Sequence, residues 1–233
     1  IIRRSYKGMG LYTYVCIFVS FIAYAIKNNM IPVIDLKNSP NIYLPEPNTM
    51  GINAWELFYE QPLGISLDMI PHEEKIVYSS DIFLPNRTPF LKSINDKEEW
   101  NMYSSVYRDF IIMNDKTKEY VEQERKKIIG DRNCLGVLCR GTDYTLQHPK
   151  NHPVQPAVEE VIKKVSEIID NYDCIYLATE EKKIFEKFSL AFPGKVLENK
   201  RMYYDTLGKD FAKSSIGDVT FERADDNYQR GIE

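Results

Sequence analysis

The sequence predicts an α/β protein built on doubly wound parallel sheets, and three of its features carry that reading. Short apolar runs, "CLGVLC", "CIYLA" and "KVLE", alternate with helical segments through the second half, giving the strand–helix–strand–helix–strand order of such a sheet. In the first half an uncharged helical segment runs through "KNNM" straight into the β-branched "IPVIDL". A polar loop, "RGTDYTLQHPKNHPVQP", stiffened by Pro149, Pro153 and Pro156, leaves the end of the first of these later strands, where open α/β sheets place their ligands.

Taken in order, the first half reads as a helix from Leu11 to Lys27 and a strand from Pro32 to Leu36. A Pro/Asn-rich loop, a short helix from Ala54 to Tyr59 and a strand at "KIVYSS" follow. The stretch Met9 to Ile26 follows Arg3, Arg4 and Lys7 and ends in Ala-Tyr-Ala, so it imitates a signal peptide and touches the lower length limit of a membrane span. Its Ser, Thr and Tyr content and its continuity into a strand assign it instead to a buried helix. "EEWNMYSSVYRDFIIM" places Trp100, Tyr103, Val106, Tyr107, Phe110 and Ile111 on one face, and "KTKEYVEQERKKII" is a charged surface helix stopped by Gly130.

The segment "GDRN" is the expected boundary between an N-terminal α/β domain, residues 1–131, and a second domain, residues 132–233. There the strand Cys134 to Cys139 reads as buried. The next helix takes Pro156 as its first residue, with Glu159 and Glu160 in its first turn. Val158, Val161, Ile162, Val165, Ile168 and Ile169 share its apolar face.

A chain of 233 residues is long enough for two small domains. With 30 Lys and Arg against 34 Asp and Glu, net charge −4, it lacks the polycationic footprint of a nucleic-acid binder. Cys16, Cys134, Cys139 and Cys174 form no Cys-x-x-Cys pair, so neither a zinc cluster nor a disulfide framework is expected, and a reducing, cytoplasmic setting follows.

Arg140 leaves one strand end, and Thr179, Glu180 and Glu181 leave the next. A guanidinium beside hydroxyl and carboxylate groups suits a nucleotide diphosphate: the cation clamps phosphoryl oxygens while the acceptors take ribose or base donors. The plainer alternative is that Arg140 pairs with Asp143 and braces the loop. Cys134 and Arg140 have the Cys-x5-Arg spacing of cysteine phosphatases, but "LGVLC" between them is a strand interior that holds them apart. Gly8 and Gly10 precede the first helix and let amides approach an anion, though a plain turn fits as well. His148 and His152 lack a nearby third ligand, so no metal site is expected. Lys200 and Arg201 follow the third strand and either top a phosphate site or face water.

The strings "GVLCRGTDYT…HP…QP" and "IYLATEE", with "GMGLYTYV" and "NAWELFYEQP" in the first half, resemble the fucosyltransferase-like GT-B glycosyltransferases, and especially the bacterial α-1,6-fucosyltransferase-related members that build surface polysaccharides. The resemblance implies two Rossmann-like domains, acceptor side first and donor side second. It makes Arg140 the holder of the donor diphosphate and Thr179, Glu180 and Glu181 the nucleoside contacts. Gly8, Gly10, Thr142, His152, Lys200 and Arg201 join the donor-binding set. Leu138 and Gly141 stand where relatives carry histidine and a second arginine, and His148 occupies the slot of a carboxylate base, leaving Asp143 as the other candidate base. The family's serine-rich third donor motif would follow "DDNYQRGIE", so the donor domain is expected to be partial.

The expected activity is therefore an inverting, metal-independent transfer of a sugar, with fucose from GDP-fucose the favoured donor, to a hydroxyl of a glycan or lipid-linked oligosaccharide. The donor is a substrate; no cofactor is expected, and the acceptor allows peripheral contact with the inner membrane face. The alternatives are a non-catalytic nucleotide-sugar-binding protein, or an inactive fragment, of the same fold, and a membrane-anchored structural protein resting on Met9 to Ile26.

Overall fold

The computed structural model of the chain describes residues 1–4, 10–44, 48–49, 51–71, 75–84, 96–146, 154–198, 203–206 and 231. It forms two compact units, one of residues Ile1–Tyr120 joined by Gly231, the other beginning at Val121.

In the first unit, α1 spans Leu11–Lys27, as the sequence predicts. The helix is buried on several sides, through Tyr14, Val15, Phe18, Val19 and Ile22 among others, which explains why it carries no charge before Lys27. No helix among the described residues is long and apolar enough to cross a membrane. Asn29 ends α1 at φ 55°, taking the left-handed position usually given to glycine. Phe18 meets Trp55 edge-on at 5.6 Å, and Trp55 stacks on Tyr59 at 4.5 Å, tying the helix to the 3₁₀ turn Ala54–Leu57.

Where a strand is predicted from Pro32 to Leu36, the structure has one parallel bridge, Ile2 to Ile34. The reason lies in what bonds to this backbone. On one side Ile2 N–H donates to the Val33 carbonyl at 2.8 Å and its own carbonyl accepts from Asp35 N–H at 2.9 Å. On the other side two amide side chains stand in for a neighbouring strand. Gln61 accepts from Ile34 N–H at 2.9 Å and donates to the Ile34 carbonyl at 2.7 Å. Asn53 accepts from Leu36 N–H at 3.0 Å and donates to that same carbonyl at 2.7 Å. Asp35, with no exposed side-chain area, pairs with Arg3 Nε at 2.5 Å and accepts from the Lys37 and Asn38 amides.

The predicted strand at "KIVYSS" is likewise absent: Val77 accepts from the terminal amine of Ile1 at 2.7 Å, and Ser79–Asp81 turns as a 3₁₀ helix. Helix α2, Lys97–Phe110, is capped by Asp96, which accepts from the Glu98 and Glu99 amides. It stops three residues before the predicted end because Met113 bridges to Tyr59. Its apolar face is narrower than predicted: Val106 and Ile111 are buried, but Trp100 and Tyr107 are 49% and 43% exposed. Helix α3, Asp115–Ile128, ends at Gly130 with φ 65°, and the division between the units falls within it.

The second unit holds a three-stranded parallel sheet in the order β1, Cys134–Leu138; β2, Cys174–Ala178; β3, Val196–Leu197. Helices α4 (Asp143–Leu146), α5 (Val158–Ser166) and α6 (Lys182–Ala191) connect the strands. Ala157 caps α5, so Pro156 lies just ahead of the helix and not at its first position. Val165, Ile169, Ile175, Leu177, Ile184 and Phe188 form the core, while Ile168 turns outward at 42% exposure. Strand β2 is the buried one. The apolar sequence of β1 predicts a buried strand, yet β1 lies at the edge of the described sheet and leaves Leu138 77% exposed.

Both tryptophans, Trp55 and Trp100, belong to the first unit, so fluorescence reads its unfolding separately. Asn53→Leu strands the buried Leu36 amide and is expected to lower stability in a urea titration by about 1–3 kcal/mol.

Candidate functional site

Strands β1 and β2 pair in register from Cys134 with Cys174 to Leu138 with Ala178, so the residues that follow them emerge side by side. The ladder continues past both strands: Cys139 N–H donates to the Ala178 carbonyl at 3.0 Å and Glu180 N–H to the Arg140 carbonyl at 3.0 Å. Arg140, Thr142, Thr179, Glu180 and Glu181 are thereby brought together, as the sequence reading requires.

Arg140 does not stand alone in this cluster. Its Nε donates to Glu180 Oε2 at 2.9 Å, with side chains 30% and 12% exposed, and its guanidinium lies 4.2 Å from the centre of the Tyr144 ring. The Thr142 hydroxyl lies 3.1 Å from the same carboxylate oxygen and 2.9 Å from the Gly141 carbonyl. Thr142 is 1% exposed and Thr179 4% exposed, so both hydroxyls are spent inside the loop.

The loop itself is bent hard. Gly141 and Thr142 have φ of 82° and 53°, consecutive left-handed residues that cost energy unless something holds them. Two side chains do so. Glu181 accepts from the Thr142 amide, and Gln155 accepts from the Gly141 amide at 2.8 Å. Because the Glu181 carboxylate is diverted to the loop, it does not cap α6, which it precedes. Asp205 caps that helix instead, accepting from the Lys182 and Lys183 amides at 3.0 and 3.3 Å, while Tyr204 N–H donates to the Glu180 carbonyl at 2.8 Å.

Tyr144, Gln155, Tyr204 and Asp205 were not among the predicted site residues. Gln155 is signalled only by its place beside Pro156, and Asp205 by nothing local, since the bonds they make cross long stretches of chain. Gly10 caps α1 in the first unit with an ordinary φ of −68°. Gly8, His148, His152, Lys200 and Arg201 lie outside the described residues, and so does the Asp143 side chain.

The cysteine-nucleophile reading fails on geometry and charge. Cys134 begins β1 and Arg140 lies beyond its far end, about 20 Å away at strand rise. Burial raises the Cys134 thiol above its ordinary value, with the Cys174 thiol adding to the shift. Cys139 is pushed up to about 11, chiefly by burial and then by the charges of Glu181 and Glu159, so it stays a neutral thiol. Among the described residues no group of three or more His, Cys, Asp or Glu side chains is arranged to hold a metal ion. A cavity of about 570 Å³ lies in the first unit and is lined by none of Arg140, Thr142, Thr179, Glu180 and Glu181. Its walls are mostly apolar, including Phe21, Met30, Pro32 and Ile70.

No protein-family model matches the sequence, and no curated protein matches it. Solved structures do. The chain is similar to fucosyltransferase NodZ from Bradyrhizobium at a TM-score of 0.51 and 14% identity, over 99% of this chain and 80% of that one. It is similar to the same degree to NodZ α-1,6-fucosyltransferase co-crystallised with GDP, and at 15% identity to that enzyme soaked with GDP-fucose. At these identities the likeness is one of fold, the mixed helix and parallel-sheet GT-B architecture.

A Cβ added at Gly141 would fall 2.7 Å from the Glu181 carboxyl group and 2.8 Å from Ile184. Gly141→Ala is expected to destabilise the chain by about 1–3 kcal/mol. Gly136→Ala, on β1 with nothing within 4 Å, should leave the melting temperature nearly unchanged in the same scan.

Proposed function

We propose that the chain is a glycosyltransferase that binds the diphosphate of a nucleotide sugar at the carboxyl ends of β1 and β2, with GDP-fucose as its donor. The observation that carries this reading is Arg140, a partly exposed guanidinium at the junction of two parallel strand ends, where open α/β sheets bind phosphorylated ligands. Its support from outside the chain is the fold shared with structures crystallised with GDP or soaked with GDP-fucose.

The chemistry fits the residue types. An acceptor hydroxyl oxygen bonds to the anomeric carbon as the bond from that carbon to the diphosphate oxygen breaks. The electron pair leaves with GDP, and the hydroxyl proton passes to a base, for which Asp143 and His148 are the candidates. Negative charge grows on the leaving diphosphate, so a preorganised guanidinium stabilises the transition state more than the ground state. Attack opposite the leaving group inverts the anomeric centre. Charge neutralisation by Arg140 supplies the role that a divalent ion would otherwise fill, so the reading includes metal-independent turnover.

A second reading, binding or bracing without transfer, has one observation in its favour: Arg140 is already engaged by Glu180. Calorimetric titration with GDP and a transfer assay separate the two. Arg140→Ala and Arg140→Lys are each expected to lower turnover by a factor of about 10² to 10³, because an ammonium cannot reproduce a planar fork. A nearly active Lys variant, or activity that falls only in step with melting temperature, would assign Arg140 to bracing. Turnover is expected to persist in excess chelator; its loss, with recovery on adding Mg²⁺ or Mn²⁺, would reveal a metal site.

A further inference from the structure

We infer that Glu180 is a positioning residue for Arg140, and not the nucleoside contact that resemblance would make it; this rests on the donor-binding reading above. Three constraints converge on one side chain. The Glu180 carboxylate takes Arg140 Nε at 2.9 Å and fixes the rotation of the guanidinium within its plane. The Tyr144 ring, 4.2 Å from the guanidinium carbon, fixes the plane itself. Glu180 N–H, bonded to the Arg140 carbonyl at 3.0 Å, holds the two residues together through the backbone as well.

Glu180 is itself anchored. Its Oε2 lies 3.1 Å from the Thr142 hydroxyl, its carbonyl accepts from Tyr204 N–H at 2.8 Å, and its side chain is only 12% exposed. A carboxylate held in this way is placed to orient a guanidinium before a ligand arrives. Arginine otherwise loses considerable rotamer freedom on binding, and a guanidinium already ordered does not lose it again. The opposing effect is the repulsion between Glu180 and an incoming diphosphate. Orientation prevails in this geometry because the carboxylate meets the guanidinium at Nε, the nitrogen nearest the side-chain stem.

The test compares GDP with guanosine, which lacks the diphosphate, by calorimetry on the unaltered chain and on Glu180→Ala, with melting temperatures measured first. Glu180→Ala is expected to weaken GDP roughly ten- to thirty-fold, the cost of re-ordering an arginine, and to leave guanosine affinity within about twofold. In an Arg140→Ala background the same substitution should add nothing further for GDP. If Glu180→Ala does not fold, Glu180→Gln, which keeps the size and one acceptor oxygen, is read by the same comparison with a smaller loss. Equal weakening of guanosine and GDP would make Glu180 a nucleoside contact and overturn the inference. Tighter GDP binding would make Glu180 a competitor for the guanidinium and overturn it too, as would unchanged affinity with a lowered melting temperature. If the unaltered chain does not bind GDP, the donor-binding reading falls and this inference falls with it.

Discussion

Glu180 and Glu181, the first carboxylates after β2, reach across to the loop that leaves β1, and the geometry of the whole candidate site depends on that grip. Consecutive left-handed residues at Gly141 and Thr142 are unfavourable in isolation. Charge-assisted bonds donated by Arg140 to Glu180 and by the Thr142 amide to Glu181 offset that cost. The grip in turn needs β1 and β2 in their observed register, and that register is fixed by the apolar residues of β2 buried under α5 and α6. Core packing, strand register, loop conformation and the orientation of one arginine are thus successive steps of one dependence.

The first unit meets a related problem with uncharged groups. The backbone around Ile34 is buried and needs partners, but among the described residues no second strand supplies them. Asn53 and Gln61 do, each offering a carbonyl and an amide on one planar group, which is the same pair of functions that a peptide unit presents. In both units, then, polar side chains from distant parts of the chain complete what a regular sheet would complete with backbone.

That shared device marks what the sequence makes legible. The bounds of α1, the succession of β1, α5, β2, α6 and β3, and the gathering of Arg140 with Thr179, Glu180 and Glu181 all follow from local periodicity and from where parallel strands end. The β-branched content of "IPVIDL" predicts a strand, but nothing local says that Asn53 and Gln61 occupy the neighbouring position. The exposure of Trp100 and Tyr107 was hidden because their helical spacing matches that of Val106 and Ile111, and only the packing partners differ. For Arg140 the partner described is Glu180, forty residues on, which no local spacing announces. Periodicity reports which side of an element is apolar. It carries no information about which polar group from elsewhere arrives there.

The diversion of Glu181 has a consequence for how the second unit comes apart. A helix normally carries its own cap, so its first turn holds together as long as the helix is formed. Here the first turn of α6 relies on Asp205, which lies beyond β3. The amides of Lys182 and Lys183 are shielded only while that later segment is docked, so their hydrogen exchange is a local gauge of its docking. When Asp205 departs, the frayed turn is the one that directly follows Glu180 and Glu181, and loosening beyond β3 is transmitted to the loop around Arg140.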